Sequence, residues 1–494
     1  MRAICVMVIV AFLVVPTRAD VSYTNTVSLS LDQCIEMALE NNLDILIRRL
    51  QPEIDRFNLR SSFGAYDPSL AFSASQRFTA SPGASDPNST RFGAGSDTYA
   101  ERFAPTIDGQ TPIGTTYSLG GALVRQSGTF FPSHQYNSDL TMSVTQPLLK
   151  NFLIDNNRRT IAINRKTLRI DELALVHQIM RTVSSVEQAY YELVFRRDNV
   201  VVQEASLRLA EQLLAENKRK VELGAMAPLD EKQAESQVAA RKADYLAAVV
   251  SLDSQMNTLK ALLSSEFGEW SLVRIAPSDK LLAIAQSLSI QSSWNSGMER
   301  RPDLLQSKES LERQDIVLRY NKNQLLPSLD LQLTYGHNGF GTDLNSGLSG
   351  IRTGAGQGYS YGLVLRIPFS RISERNNYRA SRTEKQRLLL THKQLEQQIV
   401  VEIDNAVKSS RNAYQRIQAT REARLYAEAA LDAEQKKYQN GKSTSFFVLQ
   451  LQRDLTAARS TEIQSLADYN KSLSTLWLSE GTTLKRRQLD VAFE

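Results

Sequence analysis

Cysteine and histidine are scarce in this chain, and no stretch after the first residues approaches the ~18 uninterrupted apolar residues of a membrane-spanning helix. The two cysteines are Cys5 and Cys34. Cys5 falls in an N-terminal leader and lacks the small-residue context of a lipoprotein acylation site. Its loss leaves Cys34 alone, so no intrachain disulfide is expected. His134, His177, His337 and His392 are isolated and lack metal-ligand spacing. There is no Gly-x-Ser-x-Gly, P-loop or dinucleotide fingerprint. Aspartates and glutamates are abundant, but they read as solvated helix faces rather than an acid–base pair. These absences argue against an enzyme and imply no cofactor or metal. The net charge of +5 is spread along the chain rather than gathered in one block, which gives no argument for a nucleic-acid partner. With no apolar helix available, a membrane location requires a β-barrel.

What the sequence does contain begins with a leader. Arg2 is a minimal positive region, Val6 to Val15 is mostly apolar, and Thr17-Arg18-Ala19 fits a cleavage site before Asp20. Residues 1–19 therefore read as a secretory signal.

The rest is written twice. Ala38-Leu39-Glu40-Asn41-Asn42-Leu43-Asp44-Ile45 reappears as Gly297-Met298-Glu299-Arg300-Arg301-Pro302-Asp303-Leu304, and Asp67-Pro68-Ser69-Leu70 reappears at the same spacing as Leu326-Pro327-Ser328-Leu329. Gly224 matches Gly441, and Gln233 matches Gln450. Each copy runs helix, strand, strand, long helix, helix. Such duplication suggests a quasi-symmetric shell to which each copy supplies a sector. The divisions are 20–263 for the first copy, 264–295 for an equatorial linker, 296–480 for the second copy and 481–494 for a tail.

Periodicity places the elements. Leu31, Ile35 and Leu39 define a short helix that Asn41-Asn42 interrupts, and a second helix runs from Leu43 to about Ser62, with Pro52 expected to kink or break it. In the second copy Pro302 takes the first-turn position, with Asp303 after it. After Pro68 and Pro327 the period falls to two. Leu70, Phe72 and Ala74; Leu140, Met142 and Val144; Leu329, Leu331, Leu333 and Tyr335; and Tyr359, Tyr361, Leu363, Leu365 and Ile367 alternate with mostly polar residues. Runs of about ten residues suit tilted strands crossing a bilayer. Alternation alone is equally compatible with a half-buried sheet on a soluble core; the leader and the flanking helices favour the barrel.

Ser81 to Asp97 and Gly336 to Gly358 read as mobile loops. Gly114 to Arg125 reads as an additional strand, paired with one near Tyr99 to Ala104, in a hairpin extending the outer loop. Long helices are expected from Asp155 to Glu222, about 100 Å, and from Leu229 to Leu263, about 50 Å. Leu207, Ala210, Leu214 and Val221, then Val448, Leu451, Leu455 and Ala458, then Leu466, Tyr469, Leu473 and Leu476, give heptad spacing for lateral packing, as in any antiparallel coiled coil. Each long hairpin turns at a glycine, Gly224 or Gly441. Residues 264–295 and the tail after Gly481 read as irregular or briefly helical, a belt around the helical body.

At this point the chain resembles the TolC family of outer-membrane efflux proteins. The resemblance is carried by Leu29 to Asn42, Thr145-Gln146-Pro147-Leu148-Leu149, Arg301-Pro302-Asp303-Leu304, Leu325 to Leu329, Gly362 to Phe369 and the two glycine tips, taken in order with the duplication. It implies a homotrimer with mixed α and β structure. Four strands per chain would close a twelve-stranded β-barrel in the outer membrane lipids, continued by a periplasmic α-helical barrel. The family acts as the exit duct of tripartite efflux pumps and type I secretion systems. A periplasmic adaptor docks at the helix tips and links the duct to an inner-membrane transporter.

The resemblance also assigns residues. Adaptor grooves would involve Val221, Leu223, Gly224, Ala225 and Met226 at one tip, and Tyr438, Gly441, Lys442 and Ser443 at the other. Polar links between neighbouring helices close the tip in family members. Asp230, six residues after the first glycine, and Tyr438, three before the second, stand where a linking aspartate and its tyrosine partner are found. Well-known members ring the pore with aspartates on the second hairpin, where this chain has Phe447 and Gln450. A constriction by Phe447 and packing of Phe447 between helices are both open. A periplasmic coiled-coil adaptor or scaffold is the competing function; the paired strands and the length of the helices speak against it.

Overall fold

The computed structural model describes residues 25–83, 95–129 and 131–489. The leader, most of the segment from Ser81 to Asp97 and the last five residues of the tail lie outside these.

In chain order the elements are β1 (Asn25–Leu29), α1 (Leu31–Asn41), α2 (Leu43–Ser62), a 3-10 turn (Phe63–Tyr66), β2 (Ser69–Ser81), β3 (Ser96–Gln110), β4 (Thr116–Gly128), β5 (Phe131–Pro147), α3 (Asn156–Glu222) and α4 (Pro228–Leu263). There follow α5 (Phe267–Trp270), β6 (Val273–Pro277), α6 (Ile290–Arg300), α7 (Pro302–Asn323), β7 (Ser328–Gly341), α8 (Leu344–Thr353), β8 (Gln357–Arg366), α9 (Ile372–Gln439), α10 (Ser445–Ser479) and α11 (Thr483–Arg486). The helix lengths run in parallel: α3 has 67 residues and α9 has 68, α4 has 36 and α10 has 35. No helix among the described residues is long and apolar enough to cross a membrane.

The chain divides into two compact units. One takes the described residues up to Leu46, with Ile179–Ser293 and Glu402–Leu489; the other takes the described residues of Ile47–Gln178 and Trp294–Val401.

The first unit is helical, with one small sheet. β1 pairs in parallel with β6, Asn25 opposite Val273 through Leu29 opposite Pro277. Five-residue strands are too short to declare a period, and this ladder stands where the linker was expected to be irregular. The Tyr190 hydroxyl ties it down, 3.0 Å from the Leu29 carbonyl and 2.9 Å from the Asp279 carboxylate. Ser30 caps α1 reciprocally with Gln33, at 3.3 Å and 2.9 Å. The break after α1 has a direct cause in Asn42. Its side-chain oxygen accepts from the backbone of Asp44 and Ile45, capping α2, while its amide donates to the Leu262 carbonyl at 3.0 Å. Tyr190, Leu193, Met256, Leu259 and Leu263 are fully buried, and Tyr469 and Leu473 of the heptad line sit in a core cluster with Ile417.

The second unit holds a six-stranded sheet in the order β2-β3-β4-β5-β7-β8, antiparallel at every step. Four strands per chain were expected, and six share this sheet. The 96–128 hairpin does not extend an outer loop; it fills the space between β2 and β5, with β3 paired to β2 from Ser69–Asp108 to Ser81–Ser96. Its alternation is obscured because Gly109 and Gly121 stand where apolar side chains would mark the period.

The stretch from Gly336 to Gly358 is also ordered. β7 continues to Gly341, and α8 follows behind a capping box at Asp343 and Ser346. The glycines that suggested a loop serve close packing instead. A Cβ at Gly339 or Gly350 would collide with backbone across the α8–β7 contact, and the Ser138 hydroxyl donates to the Gly347 carbonyl at 2.6 Å. α2 continues through Pro52 as one helix rather than breaking there.

Candidate functional site

The two hairpin tips belong to the first unit and are built alike. At the end of α3 the backbone of Ala225 donates to Lys220 at 2.8 Å and that of Gly224 to Val221 at 2.9 Å. At the end of α9 Lys442 donates to Lys437 at 2.9 Å and Gly441 to Tyr438 at 3.1 Å. This double bond pattern closes a helix through a left-handed residue, and Gly224 and Gly441 have φ of 75° and 67°. Pro228 then starts α4, with Asp230 and Glu231 in its first turn, and Thr444 precedes α10.

The tip residues named from the sequence divide into two groups. Leu223, Gly224, Ala225, Gly441 and Lys442 are exposed, and Leu223 at 83% has almost no cover from its own chain. Val221, Met226 and Ser443 are half-buried, and Tyr438 is buried. Tyr438 packs with Leu213, Leu431, Val448, Leu449 and Leu455, and Met226 lies against the same cluster. The Lys220 ammonium sits 4.1 Å from the centre of the Tyr438 ring. Ser443 donates to the Glu434 carboxylate, which Lys437 also meets at 3.1 Å. These two contacts, the serine first, hold Glu434 below the usual carboxylate range.

The four expected gate residues are not brought together within one chain. The Tyr438 hydroxyl donates to Asn217 Oδ1 at 2.9 Å, and Asp230 meets Ser445 Oγ at 3.5 Å. Asp230 and Tyr438 therefore share no intrachain bond. Phe447 is 51% exposed and lies edge-on to Phe446, ring centres 5.6 Å apart, so the helices of its own chain do not enclose it. Gln450 lines a groove of about 520 Å³ between α4 and α10, with Leu229, Gln233, Phe446 and Arg453.

Asn217 went unnoticed in the sequence. The signal was present: it continues the heptad line Leu207, Ala210, Leu214, Val221 as a polar residue at an apolar position, and it is fully buried. No cluster of three His, Cys, Asp or Glu that could hold a metal occurs among the described residues.

The sheet of the second unit has two unlike faces, fixed by its register. One carries Leu70, Phe72 and Phe78 of β2, Leu140 and Met142 of β5, Leu333 and Tyr335 of β7, and Tyr359, Tyr361 and Leu363 of β8, all exposed. The other carries Ser73, Arg77, Thr141, Ser143, Gln332, Thr334 and Ser360. An apolar face open to its surroundings suits lipid; a polar one suits water. On α2, Leu43, Ile47, Leu50, Ile54 and Phe57 form an exposed stripe at alternating spacings of four and three.

Comparison with known proteins agrees with this architecture. Residues 295–482 match the family model described as outer membrane efflux protein. No curated protein matches the chain. Among solved structures, the outer-membrane channel OprN superposes with a TM-score of 0.68 at 17% identity, covering 92% of this chain and 90% of that one. The CmeC outer membrane channel of Campylobacter jejuni gives 0.67 at 16% identity, covering 93% and 90%. The outer membrane protein VceC of Vibrio cholerae gives 0.65 at 18% identity, covering 91% and 96%. OprN and CmeC are described as outer membrane channels. The second half of the chain thus matches the outer membrane efflux protein family, and nearly its whole length shares the fold of these solved structures.

Proposed function

We propose that this chain is an outer membrane efflux protein of the TolC family, the exit duct of a tripartite efflux pump or type I secretion system. Three copies close a barrel in the outer membrane, and their long helices continue it as a tunnel through the periplasm. The observation that carries this is the sheet with one exposed apolar face, one polar face and two edge strands, β2 and β8, whose outer sides have no partner among the described residues. An open sheet edge is not tolerated in hydrocarbon, so the edges must be closed by other copies. The uncovered heptad stripe on α2 supports the same assembly, because a neighbouring helix would bury it. A periplasmic adaptor or scaffold has no use for such a sheet.

The exposed tip residues Leu223, Gly224, Ala225, Gly441 and Lys442, with Val221, Met226, Tyr438 and Ser443 behind them, form the surface for a periplasmic adaptor that leads to an inner-membrane transporter. Asp230 holds the resting tip closed through a neighbouring copy, and the exposed Phe447 and Gln450 narrow the opening. The duct itself hydrolyses nothing and offers cargo a wet path.

Conductance of the purified protein in planar bilayers tests this, wild type against Asp230→Ala. Discrete channels that widen with the substitution support both duct and gate. Channels unaffected by it discard the Asp230 link alone. Well-folded protein that forms no channel in either form overturns the duct.

A further inference from the structure

We infer that the 96–128 hairpin is a pair of additional membrane-crossing staves, so that each chain supplies six strands and three copies close an eighteen-stranded barrel. This rests on the duct proposed above and goes beyond it by setting the bore of the pore.

Three observations place the hairpin inside the bilayer rather than above it. The first is its chemistry. In the register of the sheet, Phe103, Pro105 and Ile107 of β3, with Tyr117, Leu119 and Leu123 of β4, fall on the apolar face beside Leu70, Phe72 and Ala74 of β2 and Leu140 and Met142 of β5. Phe103, Ile107 and Leu119 are exposed there. Thr98, Arg102, Thr106, Asp108, Thr116, Ser118 and Gln126 fall on the polar face. An extracellular hairpin would have water on both sides and no reason to keep an outward apolar face.

The second is its reach. The turn between β3 and β4 lies at the end of the sheet where α3 begins. Gln110 accepts from Asn157 at 2.9 Å and donates to Asp155 at 3.0 Å, and Thr115 bonds Gln146 near the end of β5. The opposite end of the hairpin is joined where Thr129 and Asp97 bond each other at 3.0 Å. β3 and β4 thus run the full height between these ends, with 15 and 13 residues, more than the ~9–11 that a tilted crossing needs.

The third is the slope of the apolar band. On β8 it centres near Leu363, whose row in the register passes through Leu331. On β2 it centres near Ala74, in the row of Phe103, Leu123 and Ser138. Across five strand spacings, ~24 Å, the band therefore climbs by the eight residues between Gln146 and Ser138 of β5, about 26 Å, a slope of about 48°. That is close to the ~35–45° tilt of strands in an outer-membrane barrel, and the band rises evenly only if β3 and β4 are counted in it. The Glu101–Arg125 ion pair, at 3.2 Å, and the Phe78–Tyr99 ring pair lie toward its outer margin.

An even number of strands also lets β8 of one copy meet β2 of the next in the antiparallel sense of every other pair. Going from twelve strands to eighteen takes the backbone diameter from about 24 Å to about 36 Å, half as wide again. Such a mouth admits bulkier cargo than a twelve-stranded one.

The test is nitroxide labelling of the mature protein, without residues 1–19 and their Cys5, in lipid vesicles, with collision rates for oxygen and for a water-soluble nickel chelate. Phe103→Cys and Leu119→Cys report the outward face of the hairpin, Thr106→Cys and Ser118→Cys its inward face, and Leu333→Cys and Thr334→Cys the same faces of β7. Native Cys34 stays silent, because it is buried and its thiol is pushed up to about 12 by burial and by the Asp279 carboxylate. The expected result is an oxygen-over-nickel preference at 103, 119 and 333 that reverses at 106, 118 and 334. Water accessibility at 103 and 119 with lipid accessibility at 333 overturns the extra staves and leaves the duct standing. Water accessibility at 333 as well overturns the duct, and the staves with it. Counting strands in an electron-microscopy map of the wild-type trimer decides independently: eighteen supports the inference and twelve overturns it.

Discussion

The Tyr438 hydroxyl donates a 2.9 Å hydrogen bond to the side-chain oxygen of Asn217, joining α9 to α3 just behind both hairpin tips. Asn217 is fully buried and its amide nitrogen has no partner, so this bond is what satisfies the side chain. Tyr438→Phe removes it and leaves a buried acceptor unpaired, at a cost of about 1–3 kcal/mol. The expected outcome is faster amide exchange near residues 213–220 and 434–441, with the strands of the six-stranded sheet unaffected. Unchanged exchange there would show that the bond contributes nothing to holding the tip.

Arg487 reaches back from the residues after α11 to the carboxylate of Glu187, at 2.7 Å, and to Asp32 at 3.2 Å. Glu187 is fully buried. Arg487→Ala strands that carboxylate and costs about 3–5 kcal/mol, whereas the double change Glu187→Gln with Arg487→Met recovers most of the loss. Urea unfolding of the three proteins compares them. Equal losses in the single and double variants would sink this account.

Gly224 and Gly441 have open space where a Cβ would sit, so substituting them meets no clash and costs only backbone strain. Gly441→Val, forced to positive φ, should lose about 1–2 kcal/mol and sharply raise protease cleavage at the tip. Gly441→Asn should lose less, because asparagine tolerates the left-handed region. Equal cleavage of the two variants would mean that the turn does not need that conformation.

At the second tip the folded state holds the Glu434 carboxyl below its ordinary value of 4.5, through Ser443 first and Lys437 second. The sign follows from that direction. The contribution is fully present above the ordinary value and is lost as pH falls through the folded one. Acidification below about 4.5 should therefore loosen residues 439–446. Ser443→Ala should move the Glu434 titration upward, read by carboxyl chemical shifts. A titration at the ordinary position in wild type would remove the basis for this dependence.

The helices were legible in the sequence because their signals are local. Leu31 to Asn41, Leu43 to Ser62 and the two long hairpins follow from apolar spacing, capping residues and glycine stops. The ladder of β1 and β6 was not legible, because five residues carry no measurable period and their pairing spans most of the first half of the chain. Of the candidate tip residues, Gly224 and Gly441 were fixed by their left-handed turns, whereas the partner of Tyr438 was decided by which helix lay beside it.

The sequence by itself determined the long helices with their glycine stops and the two-faced pattern of β2, β5, β7 and β8, since each depends on residues a few positions apart. Tertiary structure alone decided that β3 and β4 lie inside the sheet and that Asn217, not Asp230, meets Tyr438 within the chain. Those outcomes depend on backbone groups finding partners across long stretches of chain. Glycine and proline in the hairpin, and a single asparagine in a heptad, hide that pairing from any local pattern.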